Sequence, residues 1–332
     1  MWGTLISVVI PTRDRADLLA PTLDSLTNQI LDSSAFEVLV IDNGSLDRTA
    51  EVCHAYTSNL PKLRYFIAPE PGLHVGRHRG LREAKGDILV FADDDIEALP
   101  SWLASIQEAF DSPEVAMVGG NNFPLFMGPP PRWLSTLWER PTRFGGRALP
   151  PLSIVEFSGG IGPHDPLFVW GCNFAIRKSV LLEAGGFNPD GMPKELIRFR
   201  GDGETAVSRY VMNNHLKCLF HPGASIFHKV PPERMTFEYF RQRGFNQGIS
   251  DSYTDLRDKY LNGKKSSFKN TVYYQLARRA YQLATGYHLQ DADARRALNE
   301  LGTGRMMGYA YHKRLFKSDP EVHNWVLREN YL

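Results

Sequence analysis

The chain has 332 residues, of which 42% are hydrophobic and 23% are charged, as in ordinary soluble globular proteins. This length can hold one large domain or two modest ones around a sizeable buried core. Lysine and arginine together number 38 and aspartate and glutamate 37, so the net charge of +1 excludes nucleic acid as an expected partner, because no global positive field would attract it.

Short runs rich in β-branched residues alternate with amphipathic stretches over about the first 120 residues. The predicted strands are LISVVIP, FEVLVIDNGS, LRYFIA, DILVFADDD and VAMVGGNN. Helices are predicted from near Asp17 to Ile30, from Asp47 to Leu60, over GLHVGRHRGLREAKG, and from Leu103 to Phe110. The first helix is placed near Asp17 because Pro21 is tolerated only close to a helix start. This alternation predicts an α/β fold, with a Rossmann-like, mostly parallel sheet flanked by helices.

The residue composition of the chain changes between residues 123 and 166, where prolines mixed with glycines and aromatic residues exclude a long regular element. Beyond it, LFVWGCNFAIRKSVLLEAGGF predicts a strand that runs into a short helix, DGETAVSRYVMNNH predicts a helix, and KCLFHPGASIFHK predicts strand. From Met235 to Leu332 the chain is expected to be mostly helical. We therefore predict an α/β domain over residues 1–230 and a helical extension over residues 231–332.

The cellular location is predicted from cysteine usage and from the absence of a leader. Cys53, Cys172 and Cys218 are odd in number and far apart, which favours buried thiols in a reducing compartment over disulfides or structural zinc. The run LISVVI lacks a basic leader, and no segment approaches the roughly 20 apolar residues that a bilayer span needs. A cytoplasmic protein is expected, at most peripheral at the inner face of the membrane.

Three consecutive carboxylates, Asp93, Asp94 and Asp95, follow an apolar run predicted to be a buried strand. Ligands bind beyond the carboxyl ends of strands in open α/β sheets. In an extended backbone Asp93 and Asp95 would point to one side and Asp94 to the other. Two converging carboxylates suit Mg²⁺ or Mn²⁺ bridging to a diphosphate. The alternative is a solvated acidic turn that caps the helix ending at Phe110.

Two further stretches place polar groups at the same edge of the predicted sheet. Asp42 ends a strand and could accept hydrogen bonds from a base or ribose, or it could simply make a turn with Asn43 and Gly44. The glycine-rich helix start PGLHVGRHRG carries two arginines and two histidines, which favours phosphate binding, with a solvated basic helix face as the alternative. The residues concerned are His74, Arg77, His78 and Arg79.

Five stretches, in this order, resemble the inverting, nucleotide-sugar-dependent glycosyltransferases of the GT-A fold that are usually called family two. They are SVVIPTRDR, VLVIDNGSLDRT, GLHVGRHRGLREAKGDILVFADDD, GCNFAIRKSVLLEAGGF and GDGETAVSRYV…CLFHPGASIFHK, from Ile6 to Lys229. The resemblance implies a nucleotide-sugar donor, expected to be a UDP-sugar, a glycan or lipid-linked acceptor, and an Mn²⁺ or Mg²⁺ cofactor.

The resemblance also implies roles for individual positions. Nucleotide contacts fall to Pro11, Thr12, Arg13, Asp42, Arg77, Asp93 and Asp94. Asp95 would face the metal, and His228 would bind the metal or the diphosphate unless it is a satisfied surface histidine. Trp170, Gly171 and Asn173 would lie near the donor sugar and acceptor, although Trp170 could equally be a core aromatic.

An inverting transferase needs a carboxylate base, which the family usually supplies from a Glu-Asp pair at a helix start. This chain has Asp202-Gly203-Glu204 instead. Asp202 is preferred slightly as the base and Glu204 is the alternative, but Asp202 could also be the helix N-cap, where the helix dipole would weaken it as a base.

The C-terminal region lies outside the resemblance. FRQRGFNQGISDSY and YYQLARRAYQLATGYHL combine arginine with aromatic residues at roughly helical spacing. Such helices could pack on the catalytic domain, which is the preferred interpretation, contact an anionic membrane surface, or form a homodimer.

Two rival functions are weighed against a transferase. A sugar nucleotidyltransferase would carry a glycine-rich, lysine-containing phosphate loop after the first strand, and IPTRDR has none. A non-catalytic nucleotide-sugar or glycan-binding protein stays open because of the altered GDGE motif. Nicotinamide binding is disfavoured because no G-x-G-x-x-G follows the first strand.

Overall fold

The apolar runs of the N-terminal region form strands buried on both faces, as their continuous hydrophobicity predicts. The computed structural model describes residues 5–142, 145–263 and 291–332. Within these ranges the strands are β1 (Ile6–Thr12), β2 (Phe36–Asp42), β3 (Leu63–Ile67), β4 (Ile88–Ala92), β5 (Ile96–Ala98), β6 (Val115–Gly119), β7 (Asn122–Phe126), β8 (Arg147–Leu149), β9 (Ile154–Glu156), β10 (Gly162–Pro163), β11 (Asn173–Arg177), β12 (Lys217–Phe220) and β13 (Ile226–Val230).

The helices of the same ranges are α1 (Ala16–Thr27), α2 (Thr49–Ala55), α3 (Leu73–Glu83), α4 (Trp102–Phe110), α5 (Arg132–Trp138), α6 (Lys178–Glu183), α7 (Thr205–Asn213), α8 (Phe237–Tyr260), α9 (Ala292–Ser318) and α10 (Pro320–Val326). Helix α1 begins close to the predicted start and holds Pro21 in its second turn. Helix α2 ends at Ala55 rather than at Leu60, because the chain tightens there into a turn in which Tyr56 N–H donates to the Cys53 carbonyl.

The larger sheet has the strand order β10-β12-β6-β11-β4-β1-β2-β3. Strand β1 pairs in parallel with β2 and β4, and β11 runs antiparallel between β4 and β6. Helices α1, α2 and α4 cover one face, and α3, α6 and α7 cover the other. The predicted α/β fold class is confirmed. Because the chain changes direction along the sheet at β1, a crevice opens at the carboxyl ends of β1 and β4.

A second, five-stranded sheet of order β5-β13-β7-β9-β8 corrects the prediction of an irregular segment. The described residues between 123 and 166 form no long element, as predicted, yet short strands among them pair with β13 and with one another. Strand β13 also pairs antiparallel with β5, which follows Asp95 directly, so that His228 lies opposite Ile96. The small sheet therefore carries His228 to the acidic triplet.

Helices α8 and α9 pack closely through glycines spaced four residues apart on each helix. A Cβ atom on Gly244 would lie 2.1 Å from the Leu301 carbonyl oxygen, and one on Gly248 would lie 2.0 Å from the Arg305 carbonyl oxygen. The partner glycines of α9, Gly304 and Gly308, meet the backbone of α8 equally closely. Since successive contacts advance together along both helices, α8 and α9 run in the same direction.

Helix α8 also faces the α/β part of the molecule, as the packing interpretation predicted for FRQRGFNQGISDSY. Phe240 is fully buried and meets the Trp133 ring edge-on, with ring centroids 5.1 Å apart. The second stretch, YYQLARRAYQLATGYHL, lies outside the described residues. None of the helices in the described ranges has the length and apolarity that crossing a membrane would require.

Candidate active site

The acidic triplet lies where the two sheets meet, directly after β4 and before β5. Asp94 is turned toward β1: its Oδ2 accepts a hydrogen bond from Thr12 Oγ1 at 2.7 Å, and its Oδ1 lies 2.8 Å from Arg15 Nη1. Burial raises the pKa of the Asp94 carboxyl to about 7. Both carboxylate oxygens of Asp94 are therefore used within the protein, as is the Thr12 hydroxyl.

Asp95 is almost fully buried, and its two oxygens have different surroundings. Oδ2 accepts hydrogen bonds from Arg15 Nη2 at 2.6 Å and from Arg234 Nη2 at 3.0 Å. Oδ1 lies 3.4 Å from His228 Nε2 and accepts no hydrogen bond within the described ranges. Although burial opposes ionisation, His228, Arg15 and Arg234 lower the pKa of the Asp95 carboxyl. Asp95 therefore presents one unsatisfied anionic oxygen.

His228 is oriented by its own hydrogen bond. Its Nδ1 lies 2.9 Å from the Leu152 carbonyl oxygen, to which it donates, so the neutral ring carries its lone pair on Nε2. Nε2 lies 3.4 Å from Asp95 Oδ1. A carbonyl that fixes the distal nitrogen of a histidine is the usual support of a metal-binding imidazole.

The same space is bordered by Asp93 and Cys172, whose ligand atoms lie within 4.8 Å of each other and of His228. Burial raises the pKa of the Cys172 thiol well above its usual value, so the thiol stays protonated. The oxygen and nitrogen donors of this group are then Asp93 and His228, and Asp95 Oδ1 adds a further oxygen 3.4 Å from His228 Nε2. This donor set fits a hard divalent cation such as Mg²⁺ or Mn²⁺.

Arg77 is buried beside the triplet and connects it to Glu204. Arg77 Nη2 lies 4.0 Å from Asp93 Oδ1, and Nη1 lies 3.3 Å from Glu204 Oε2. The guanidinium also lies over the Phe187 ring, 5.0 Å from its centroid. Burial alone would lower the pKa of Arg77, but the carboxylates of Glu204, Asp93 and Asp190 raise it. The guanidinium therefore keeps its charge in a buried setting.

Gly171, in the turn that precedes β11, supports this arrangement. Its N–H donates to Glu204 Oε1 at 3.2 Å, while Arg77 pairs with the other carboxylate oxygen, Oε2. A Cβ atom at Gly171 would lie 2.0 Å from Arg77 Nη2, so no larger residue fits here without moving the guanidinium. The structure thus brings Gly171, Arg77 and Glu204 together.

Asp202 occupies a different position from Glu204. Its carboxylate accepts hydrogen bonds from Asn188 Nδ2 at 2.7 Å and from Thr254 Oγ1, on α8, at 2.6 Å. Burial raises the pKa of this carboxyl. The interpretation of Asp202 as the helix N-cap is wrong, because Glu204 holds the N-cap position of α7, where it makes no side-chain cap hydrogen bond to the described residues.

The expectation that PGLHVGRHRG presents several cations to a phosphate is wrong, because of its four basic residues Arg77 alone lies beside the acidic triplet. His74 and His78 are buried against Phe187 and Tyr331, and Arg79 pairs with Glu83 one turn further along α3, at 2.9 Å. Arg79 diverges from Arg77 because residues two apart on a helix face different directions.

Other predicted residues are engaged in the fold itself. Asp42 Oδ1 accepts a hydrogen bond from the Ser45 N–H at 2.7 Å, and Oδ2 accepts one from the Tyr65 hydroxyl. This arrangement matches the alternative in which Asp42 makes a turn with Asn43 and Gly44. Pro11 is buried in β1. Arg13 is exposed, and its Nε lies 3.6 Å from Asp14 Oδ2.

The two polar neighbours of Gly171 are also held by protein groups. Trp170 donates its indole N–H to the Leu167 carbonyl at 3.0 Å and packs on the core of the large sheet, as its structural alternative predicted. Asn173 is buried and accepts from Trp102 Nε1 at 2.9 Å, while its amide donates to Asn122 and Ala224. Asn173 therefore organises the junction of the sheets.

Two arginines of this site were missed at the sequence level. Arg15 stands two residues after Arg13, so the run PTRDR held the signal, but spacing did not show which arginine turns inward. Arg234 reaches Asp95 from 139 residues along the chain, and no local pattern predicts that contact.

The sequence of the chain is similar to one family of known proteins. The family model described as glycosyl transferase family 2 matches residues 7–183. The chain is 34% identical over 124 residues to glycosyltransferase AglE of Haloferax volcanii, a match that covers 36% of this chain and 41% of the relative. It is 30% identical over 202 residues to a validoxylamine A glucosyltransferase of Streptomyces hygroscopicus subsp. jinggangensis, covering 56% of this chain and 47% of the relative. The matches thus span less than half the length of these two relatives.

Among solved structures, the fold is similar to that of the mannosyltransferase PcManGT from Pyrobaculum calidifontis, solved in complex with GDP-Man and Mn²⁺. The TM-score is 0.55 at 18% identity, and the similarity covers 95% of this chain and 87% of that one. A likeness at this identity describes the fold of the chain.

Proposed function

The chain belongs to glycosyl transferase family 2 and has the GT-A fold that the resemblance predicted, and on that premise we propose that it transfers a sugar from a nucleotide-diphosphate donor to a hydroxyl group of an acceptor. The observation that carries the proposal is the convergence of Arg77, Glu204 and the acidic triplet at one end of β4. The donor to be tested first is a UDP-sugar, and the acceptor class is a glycan or a lipid-linked sugar.

Asp93, Asp95 and His228 would hold a divalent cation, Mn²⁺ or Mg²⁺. The unsatisfied Oδ1 of Asp95 and the lone pair on His228 Nε2 support this assignment, as does the Mn²⁺ bound by the mannosyltransferase of similar fold. When bound, such a cation offsets the negative charge that develops on a departing nucleoside diphosphate. Arg77 would supply a second, fixed positive charge beside the leaving group.

Glu204 is the proposed general base. Its side chain is 22% exposed and is held between the Gly171 N–H and Arg77, next to the acidic triplet, whereas both oxygens of Asp202 are bound by Asn188 and Thr254. In the proposed reaction the acceptor hydroxyl oxygen forms a bond to the anomeric carbon as its proton passes to Glu204. The bond from that carbon to the diphosphate oxygen breaks, and the electron pair leaves with the nucleoside diphosphate. One displacement of this kind inverts the anomeric centre.

Residues 1–230 would form the catalytic domain and residues 231–332 an extension that completes it. Arg234 and Thr254 support this view, since the first binds Asp95 and the second binds Asp202. We expect the extension to be needed for activity, because its removal would strip one of the two arginines from Asp95.

Release of nucleoside diphosphate from UDP-sugars and GDP-sugars in the presence of Mn²⁺ tests the proposal. An active transferase should release the nucleotide slowly by hydrolysis without acceptor, and the release should disappear with EDTA. A binding protein would bind the donors and leave them intact. No release from any donor, at enzyme concentrations near that of the donor, would contradict the proposed activity.

A further inference from the structure

A cavity of about 530 Å³ lies between α5, β8 and the α8–α9 helix pair. Its walls are largely apolar and include Leu137, Leu149, Pro151, Phe240 and Leu301. This volume is in the range of sites that take small organic ligands. None of the residues in the proposed catalytic set lines it.

The polar part of the cavity wall is dominated by three arginines, Arg140, Arg243 and Arg305, and no aspartate or glutamate among the described residues lines it. Arg305 is partly offset by Asp251, whose Oδ2 lies 2.5 Å from Arg305 Nε. Arg243 is half-buried, and no described carboxylate forms an ion pair with it. Arg243 therefore gives the cavity wall a positive charge, in a lining whose other polar residues are Arg140, Arg305, Thr142 and Gln247.

Two residues of the cavity wall, Pro151 and Arg243, relate it to the proposed catalytic centre. Pro151 in its wall precedes Leu152, whose carbonyl orients His228. Asp190 is half-buried, and although burial opposes ionisation, Arg200, Arg77 and Arg243 lower the pKa of its carboxyl. Arg243 in the cavity wall is therefore one of the cations that act on the Asp190 carboxylate, as Arg77 is.

We propose that this cavity binds a phosphate group carried by the acceptor substrate, an inference that rests on the proposed transferase function. Guanidinium groups match phosphate oxygens with paired, charge-assisted hydrogen bonds. The leucine, proline and phenylalanine side chains would cover the organic part of the phosphate ester. The ester could belong to a soluble phosphorylated glycan or to a lipid phosphate, and the two share this chemistry.

The test is calorimetric titration of the full chain with three probes in EDTA, so that no divalent cation supports phosphate binding at the acidic triplet. The probes are inorganic phosphate, decyl phosphate and the uncharged decyl maltoside, the last two below their micelle concentrations. Both phosphate probes should bind and decyl maltoside should not. Much tighter binding of decyl phosphate than of inorganic phosphate would identify a lipid phosphate as the source, and similar binding would identify a soluble ester.

The matched variants are Arg243→Gln and Arg241→Gln. Both remove one positive charge from the same turn of α8, but Arg241 is 51% exposed, lies near Glu300 and is outside the cavity wall. Arg243→Gln should weaken phosphate binding by about tenfold or more, because charge-assisted hydrogen bonds are lost. Arg241→Gln should leave it unchanged. Absence of phosphate binding to the wild type, or equal weakening in both variants, would overturn the inference.

A parallel titration with UDP and Mg²⁺ separates this inference from the proposed function. If UDP binds and phosphate does not, the cavity assignment alone is overturned. If phosphate binds through Arg243 and no nucleoside diphosphate binds, the anion site stands and the acceptor role is overturned together with the proposed transferase.

Discussion

Glu204 and Arg77 lie side by side beyond the carboxyl end of β4, with Glu204 Oε2 3.3 Å from Arg77 Nη1. They come from the starts of different helices, α7 and α3, separated by 127 residues. Arg77 is 2% exposed, so its charge needs nearby carboxylates, and Asp93 and Asp190 share that task with Glu204. The pair places a candidate base, Glu204, beside Arg77, the cation that is proposed to stabilise the leaving group.

Replacing Glu204 with glutamine tests the assignment of the base. The variant keeps the shape of the side chain and removes its ability to take a proton, so kcat should fall by a factor of about 10² to 10⁴. Donor binding should change little, since the proposed nucleotide contacts remain. Steady-state release of nucleoside diphosphate in the presence of acceptor, with KM for the donor, measures both effects.

Asp202→Asn is the matched control for that experiment. An amide group would turn a donor toward Asn188 or Thr254, so the free energy of unfolding should fall by about 1–3 kcal/mol. Its effect on kcat should be much smaller than that of Glu204→Gln. If Asp202→Asn lost more activity than Glu204→Gln while remaining folded, the base would be Asp202.

Gly171→Ala tests the packing of the buried guanidinium. The new Cβ atom would lie 2.0 Å from Arg77 Nη2, so Arg77 must shift from Asp93 or Glu204. A displacement of about 1 Å at a catalytic group can cost on the order of 100-fold in rate, and we expect a loss of that size. Gly160→Ala, at a glycine with open space around its Cβ position, should keep wild-type kcat. Equal activity in the two variants would show that Arg77 does not need its present position.

Two glycines of the C-terminal helices should respond to alanine in opposite directions. Gly248→Ala would place a methyl group 2.0 Å from the Arg305 carbonyl oxygen and should destabilise the fold by about 1–3 kcal/mol, because α8 and α9 must move apart. Gly302→Ala, on α9 with nothing near its Cβ position, should stabilise the fold by about 1 kcal/mol through helix propensity. Urea unfolding measures both. A shift of the same sign in both variants would contradict the close α8–α9 contact.

Stability should fall on acidification because of His78. Its Nδ1 lies 2.9 Å from the Tyr331 carbonyl and its Nε2 accepts the Phe187 N–H at 2.9 Å, so the folded site holds the neutral ring. Burial, with repulsion from His74, lowers the pKa of His78 to about 3. Between the unfolded-state value near 6.5 and this one, the unfolded chain holds a proton that the folded chain lacks. The free energy of unfolding should therefore decrease from pH 6.5 downward, by up to about 1.4 kcal/mol per pH unit from this group.

Urea unfolding at pH 7 and pH 5 measures this effect. The decrease should be shallower in His78→Asn, and it should be unchanged in His54→Asn, which alters an exposed histidine of α2. An identical decrease in His78→Asn and the wild type would assign the acid sensitivity to other groups, such as the buried His74 and His312, whose pKa values burial lowers to about 4.

The large sheet could be predicted because its parallel strands are buried on both faces and read as unbroken apolar runs, which also placed Asp93–Asp95 at the ligand edge. The small sheet could not, because its strands are short and one of them, β7, contains a proline, Pro124. The glycine spacing of α8 and α9 was legible in RGFNQG and GRMMG, but spacing alone does not show that two such helices meet. The division at residue 230 stays a prediction, and the contact of Arg234 with Asp95 shows how closely the two parts cooperate.

The candidate site was predicted in part. The acidic triplet, Arg77, Gly171, Glu204 and His228 come together, because strand ends and helix starts converge at the crevice between β1 and β4. Which of Asp202 and Glu204 faces the site depends on the turn that leads into α7, with Gly203 at φ +55°, and residue spacing does not determine such a turn. The neutralisation of Asp94 and Asp95 by Arg15 is a contact across 79 and 80 residues that only the folded chain reveals.

The measurement that bears most directly on this account is the thermal shift produced by UDP and GDP, with Mn²⁺ and with EDTA, in the wild type and in Asp95→Asn. A ligand that binds only the folded state raises Tm by mass action. We predict that one nucleoside diphosphate raises the Tm of the wild type in Mn²⁺, and that EDTA or Asp95→Asn removes this rise relative to each protein's own ligand-free Tm. A rise of the same size in EDTA or in the variant, or no rise with either nucleotide, would contradict a cation site at Asp95.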